Sequence, residues 1–130
     1  MEQGPAPVSI LRQGSYLVAS VHTALDDTQI VRFRQDLIEA IGHHRARGVI
    51  VDVAALDVLD SFGSRTLLDI AEMARLRGAK TVIVGIQPDV AVAMVWLGMD
   101  TATIPTALDL EEGLAFLDDR IDVASGSSGD

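Results

Sequence analysis

The side chains of this chain that could do chemistry are few. They are three histidines (His22, His43, His44), a scatter of aspartates near predicted helix starts, one lysine (Lys80), and Ser61, set between Asp60 and Phe62. His43 and His44 are adjacent, so on a helix they point about 100° apart and cannot share a metal unaided. His22 falls at a strand end with no partner in sequence. No HExxH-like or CxxC-like spacing occurs, and there is no cysteine, so neither a metal site nor thiolate chemistry is expected. There is no Walker loop and no GxGxxG to cradle a phosphate. Ser61 lies outside any GxSxG elbow, and no histidine and acid follow it in a recognisable order. The expectation is therefore no catalytic residue, no metal, no cofactor and no enzyme.

Asp52 and the pair Asp26-Asp27 faintly resemble a receiver domain, in which aspartates gather Mg²⁺ and one takes a phosphoryl group. That comparison fails on strand order, on Asp52 reading as mid-strand, and on Lys80 standing at the start of the fourth strand instead of after a fifth.

The elements that must hold these residues follow from periodicity and turn chemistry. "VSILRQGSYLVASV" reads as two strands turned at Gln13-Gly14-Ser15. Asp26, Asp27 and Thr28 are cap candidates for a helix with Ile30, Phe33, Leu37 and Ile41 at helical spacing, ended by Gly48. "VIVDVAAL" and "KTVIVGI" are nearly continuous apolar runs, as expected of strands covered on both faces. Between them "DSFGSRTLLDIAEMARLRGA" settles into a helix. Pro88 and Asp89 open a short helix, "PDVAVAMVWLG", that is apolar all round, so that one face covers the sheet and the other wants a neighbour. "TATIPTAL" reads as an edge strand, because Pro105 is tolerated only at an edge or strand end. In the last helix Asp109 and Glu112 are spaced as a cap pair, and Leu110, Leu114, Leu117 and Ile121 form a stripe. The order β-β-α-β-α-β-α-β-α predicts an α/β fold with a mostly parallel sheet, an N-terminal hairpin-like strand and about four helices. One domain is expected over residues 1–121, with 122–130 a linker-like, disordered tail.

The chain has 130 residues, 48% hydrophobic and 22% charged, enough for an ordinary core. Ten basic against nineteen acidic residues give a net charge of −9, which repels phosphate backbones and argues against nucleic acid. Arg32/Arg34, Arg45/Arg47 and Arg75/Arg77 lie on or at the ends of predicted helices, where the last two pairs suit the helix dipole. No apolar run reaches the roughly 18 residues that span a bilayer, and no signal-peptide pattern opens the chain. A cytoplasmic location without membrane contact is expected.

Ser61 at the mouth of the second helix has two compatible readings. Serine is a good N-cap, and its loss there costs about 1 kcal/mol. It also reads as a regulatory phosphorylation site: a phosphate of about −1.5 to −2 charges would suit the exposed N–H groups of a helix start. Gly63, Leu67, Ile70, Ala71 and Ala74 fall on a sheet-facing side. Ser61, Ser64, Arg65, Leu68 and Glu72 fall on the other, with Phe62 at its edge. A partner surface of Asp60, Phe62, Ser64, Arg65 and Leu68 is therefore expected, with apolar anchors and a polar rim.

"GVIVDVAAL", "DVLDSFGSRTLLDIAEMARLRGA" and "KTVIVGI" together resemble the centre of a STAS domain, the anti-sigma-factor antagonist fold, over about residues 8 to 121. Asp60-Ser61 at the start of the second helix, followed by Gly63, matches the position where such antagonists carry their phosphorylated serine. "ALDVLDSFGSR", "GHHRARGVIVDV" and "TALDLEEGLAFL" look closest to the RsbS type of stressosome scaffold; the absence of an N-terminal sensory region points to this short type. The resemblance implies a non-enzymatic scaffold in a large assembly with sensor paralogues of the RsbR type. It further implies sequestration of a serine/threonine switch kinase of the RsbT type, release on phosphorylation of Ser61 under stress, and a phosphatase that reverses it. No second phosphosite transfers to Ser64 or Thr66. A homodimer or higher oligomer is expected. Two alternatives stay open: a partner-switching antagonist outside any stressosome, and a STAS-like module that binds a nucleotide or lipid.

Overall fold

Gly14 and Ser15 reverse the chain between β1 (Val8–Gln13) and β2 (Tyr16–Val21), which pair antiparallel with Gln13 opposite Tyr16. Gly14 takes φ 61°, the left-handed conformation that two-residue hairpin turns require. The computed structural model describes residues 6–98 and 104–129, with side chains through Asp119.

Of the three cap candidates, Asp26 starts α1 (Asp27–His44). Its carboxylate accepts from the Gln29 N–H at 2.8 Å while the Gln29 side chain accepts from the Asp26 N–H at 2.9 Å, a closed capping box. Phe33, Leu37 and Ile41 are buried and Ile30 is half-buried, as the spacing predicts. The helix does not run to Gly48. Arg45, left-handed at φ 51°, ends it, and Gly48 opens β3 (Gly48–Asp52). A Cβ on Gly48 would stand 2.9 Å from Leu117 and 3.0 Å from Tyr16, so the glycine serves sheet packing rather than helix termination.

The chain continues through α2 (Ser61–Leu76), β4 (Lys80–Val84), α3 (Pro88–Trp96), β5 (Thr106–Ala107) and α4 (Leu110–Gly129). The sheet order is β1-β2-β3-β4-β5, antiparallel at the first pair and parallel at the rest. β5 is an edge strand as expected but only two residues long; residues 101–103 of the segment read as a strand lie outside those described. Pro105 precedes it and accepts from the Ile83 N–H through its carbonyl, which needs no N–H of its own. The stretch read as a tail falls on the end of α4, and Ile121 and Asp130 lie beyond the described side chains.

Side chains alternate across the central strands. Leu17, Ala19 and Val21, with Val49, Val51, Val53 and Ile83, point into a core shared with α1, α2 and α3. Val18, Ile50, Val82 and Val84 point to the opposite face, where Leu117 of α4 covers them. Both faces of β3 and β4 are therefore dry, which is why their sequences lack polar alternation. On α4, the Asp109 carboxylate accepts from the Glu112 N–H at 2.9 Å, as the cap spacing predicts. No helix among the described residues is long and apolar enough to cross a membrane.

Candidate switch site at the start of the second helix

The loop from β3 to α2 is pinned at its beginning. Asp52, which ends β3 instead of lying mid-strand, accepts from the Ala54 N–H at 2.9 Å. That removes one objection to a receiver-like site, but strand order and the place of Lys80 at the start of β4 still oppose it. The Gln87 amide, at the N-terminus of α3, donates to the Ala54 carbonyl at 2.6 Å. Gly85 crosses Ala54 so closely that a Cβ would lie 2.9 Å from the alanine methyl, and its φ of 77° also favours glycine. Leu56 is buried and Leu59 half-buried, which leaves Val58 and Asp60 on the outside.

The N-cap of α2 is Asp60, not Ser61. Asp60 is extended (φ −95°, ψ 179°) and its carboxylate accepts from the Gly63 N–H at 2.8 Å. A carboxylate satisfies an orphan N–H and complements the positive end of the helix dipole, so it takes the position ahead of the neighbouring hydroxyl. Ser61 is thereby the first helical residue, exposed, and its hydroxyl has no hydrogen-bond partner among the described residues. Truncating the cap should be costly where truncating the serine is not. Asp60→Ala is expected to lose about 1 kcal/mol, or about 3–5 °C of melting temperature, in a thermal unfolding scan; Ser61→Ala is expected to lose almost nothing.

The expected partner surface is only partly on the outside. Asp60 and Arg65 are exposed, Phe62 is 39% exposed, and Leu68 is half-buried against the core. Ser64 is a correction: it is 4% exposed, and its hydroxyl donates to the Asp60 carbonyl at 3.0 Å. The hydroxyl folds back on the preceding turn, so Ser64 lies with the core-facing residues and cannot touch a partner. Thr66 is likewise buried and donates to the Phe62 carbonyl at 2.9 Å. Gly63, Leu67, Ile70, Ala71 and Ala74 are all buried, as the sheet-facing line predicts.

Farther along the helix, Glu72 pairs with Arg75 at 2.5 Å. The hydrogen bond from the guanidinium, and then its charge, hold the Glu72 carboxyl below its ordinary range. Arg34 of α1 lies 3.6 Å from Asp69 of α2 and ties the two helices on the solvent side. His22 hydrogen-bonds Ser9 at 2.9 Å, and the rings of His43 and His44 pack edge to face with centroids 4.8 Å apart. Among the described residues no three histidine or acidic side chains gather as metal ligands.

Sequence reasoning missed two features of the site. Gln87 braces the loop from another element, and no local signal announces it. A cleft between α1 and α2 opens directly beneath Asp60 and Gly63. Gly63 signals only the tight packing at its edge, since glycine in a helix costs about 1 kcal/mol and implies a close approach. A Cβ there would lie 3.1 Å from Leu59 and 3.3 Å from the Asp60 carboxylate.

Comparison with known proteins gives this geometry a setting. Residues 8–113 match the family described as the STAS domain. The RsbT co-antagonist protein RsbRA of Bacillus subtilis is 29% identical over 90 residues, which cover 69% of this chain and 33% of that protein. RsbRB of the same organism is 24% identical over 112 residues, 85% of this chain and 40% of that protein. The chain thus spans 33% and 40% of the length of these two relatives. Among solved structures, a glutamate-for-serine variant of RsbS from Moorella thermoacetica superposes with a TM-score of 0.81 at 32% identity, covering 90% of this chain and 99% of that one. A chain of the stressosome, described as a signal integration and transduction hub, gives 0.73 at 32% identity, covering 87% and 98%. The match over residues 8–113 and the superposition on the RsbS variant agree, and the chain belongs to the STAS domain family.

Proposed function

We propose that this STAS domain is a non-catalytic scaffold of the stressosome type, which binds and sequesters a serine/threonine switch kinase of the RsbT type in the cytoplasm. Phosphorylation of Ser61 releases the kinase, and a phosphatase restores the bound state. The observation that carries this reading is the exposed Ser61 hydroxyl, uncommitted at the first position of α2 beside Phe62 and Arg65. A kinase can reach it, and modification breaks no hydrogen bond among the described residues. The phosphate would gain from the free N–H groups of the helix start. It would also add to the negative charge of Asp57 and Asp60, turning a mixed polar and apolar surface strongly acidic. A docked protein that had accommodated Phe62 would then face added negative charge that Arg65 offsets only in part, while the core beneath stays untouched.

Assembly with RsbR-type paralogues draws support from α3. Val92, Val95 and Trp96 project from its outer side, Trp96 at 84% exposure, while Val90 and Met94 seal the core. An apolar surface of that kind suits a protein contact. The deciding experiment is phosphopeptide mass spectrometry after incubation with the cognate kinase and ATP. Modification at Ser61, absent in Ser61→Ala, is expected; an unmodified Ser61 in the presence of active kinase ends the reading.

A further inference from the structure

The cleft between α1 and α2 has a composition that specifies a ligand. Its volume is about 260 Å³. Val21, Phe33, Val53, Leu67 and Ile70 are its buried floor, and Ala24, Val58 and Asp60 stand exposed at its rim. A dry apolar cavity of about 150 Å³ accommodates benzene, so this one has room for a fused bicyclic ring. Only Asp60 and Thr66 among the lining residues have polar side chains, and none is basic. The Thr66 proton is committed to the Phe62 carbonyl, and one Asp60 oxygen accepts from the Gly63 N–H. What remains for a ligand is acceptor capacity alone, on the Thr66 oxygen and on the Asp60 carboxylate, which lines an otherwise apolar space from its exposed rim. In a chain of net charge −9, that rim disfavours an anion and favours a cation.

We infer that this cleft binds a small arylalkylamine, its ring in the apolar floor and its ammonium on the Asp60 carboxylate. The site sits under the loop that leads into Ser61 but does not depend on Ser61 being modified, so it stands or falls apart from the proposed switch. Binding would clamp Leu56 and Leu59 against α1 and raise the melting temperature.

Tryptamine, indole and indole-3-acetate, each added to the full chain, test this by amide chemical shifts and thermal unfolding. Tryptamine is expected to shift the amides of residues 53–63 and to bind about tenfold or more tighter than indole-3-acetate. Ala24→Leu, at an exposed rim position, should weaken tryptamine by about tenfold by filling the mouth. Asp60→Asn, which keeps a cap-competent side chain, should erase the preference for tryptamine over neutral indole. Ser61→Ala should bind as the wild type does. The inference is overturned if tryptamine leaves the 53–63 amides unmoved, if indole-3-acetate binds equally well, or if binding survives Ala24→Leu undiminished.

Discussion

Ser61→Asp is expected to release the switch kinase while the domain keeps its melting temperature within a few degrees, and Ser61→Ala is expected to hold the kinase through exposure to ATP. The contrast follows from where the hydroxyl sits. Because Asp60 provides the cap, the Ser61 hydroxyl makes no hydrogen bond among the described residues, and neither substitution removes one. A carboxylate at the first helical position gains about 0.3–1 kcal/mol from the helix dipole. Repulsion from Asp60 and Asp57 opposes that by a similar amount at an exposed site, so the net change in stability is small. The partner has no such compensation. A negative charge desolvated against a partner docked over Phe62 costs about 1.4–3 kcal/mol, a tenfold to hundredfold loss of affinity. Titration calorimetry with the cognate kinase reads the first effect and a thermal scan the second. If both variants bind as tightly as the wild type, Ser61 is not the switch.

Periodicity made the layers legible, because each strand and helix advertises what its own faces touch. Phe33, Leu37 and Ile41 are spaced for burial on one helix face, and Val49 to Val51 and Val82 to Val84 are apolar at every position because helices cover both sides. Errors arose where two residues compete for one local role. Asp60 and Ser61 are both good caps, and only the backbone shows which is extended and which helical. Gly48 looked like a helix stop, yet a left-handed arginine stops the helix and the glycine makes room for Leu117 and Tyr16 from distant elements. Ser64 looked like surface because helical numbering put it in line with Ser61, Arg65 and Leu68, but a serine that bonds the preceding turn can face the core. The cleft and the Gln87 brace need residues from several elements at once, so no window of sequence contains them.

Gly113→Leu is expected to destabilise the domain by about 2 kcal/mol or more, although leucine is the better helix former by about 0.8 kcal/mol. Gly113 is where α4 meets the sheet: a Cβ would stand 2.8 Å from Val84 Cγ1 and 3.6 Å from Ile50 and Val82. Leucine adds three further carbons in that direction, and β3 and β4 are central strands that cannot retreat. The helix must therefore lift. It is also the element that covers this face, so lifting exposes Ile50, Val82 and Val84 together and not one residue alone. Overpacking of this kind costs about 1–3 kcal/mol and exceeds the propensity gain. Urea unfolding should show a lower midpoint, and hydrogen exchange should speed up first in α4 and in β3 and β4, with α1 and the Asp26 capping box still protected. An unchanged urea midpoint would mean that α4 does not press on the sheet at Gly113, and the second core would need a different keystone.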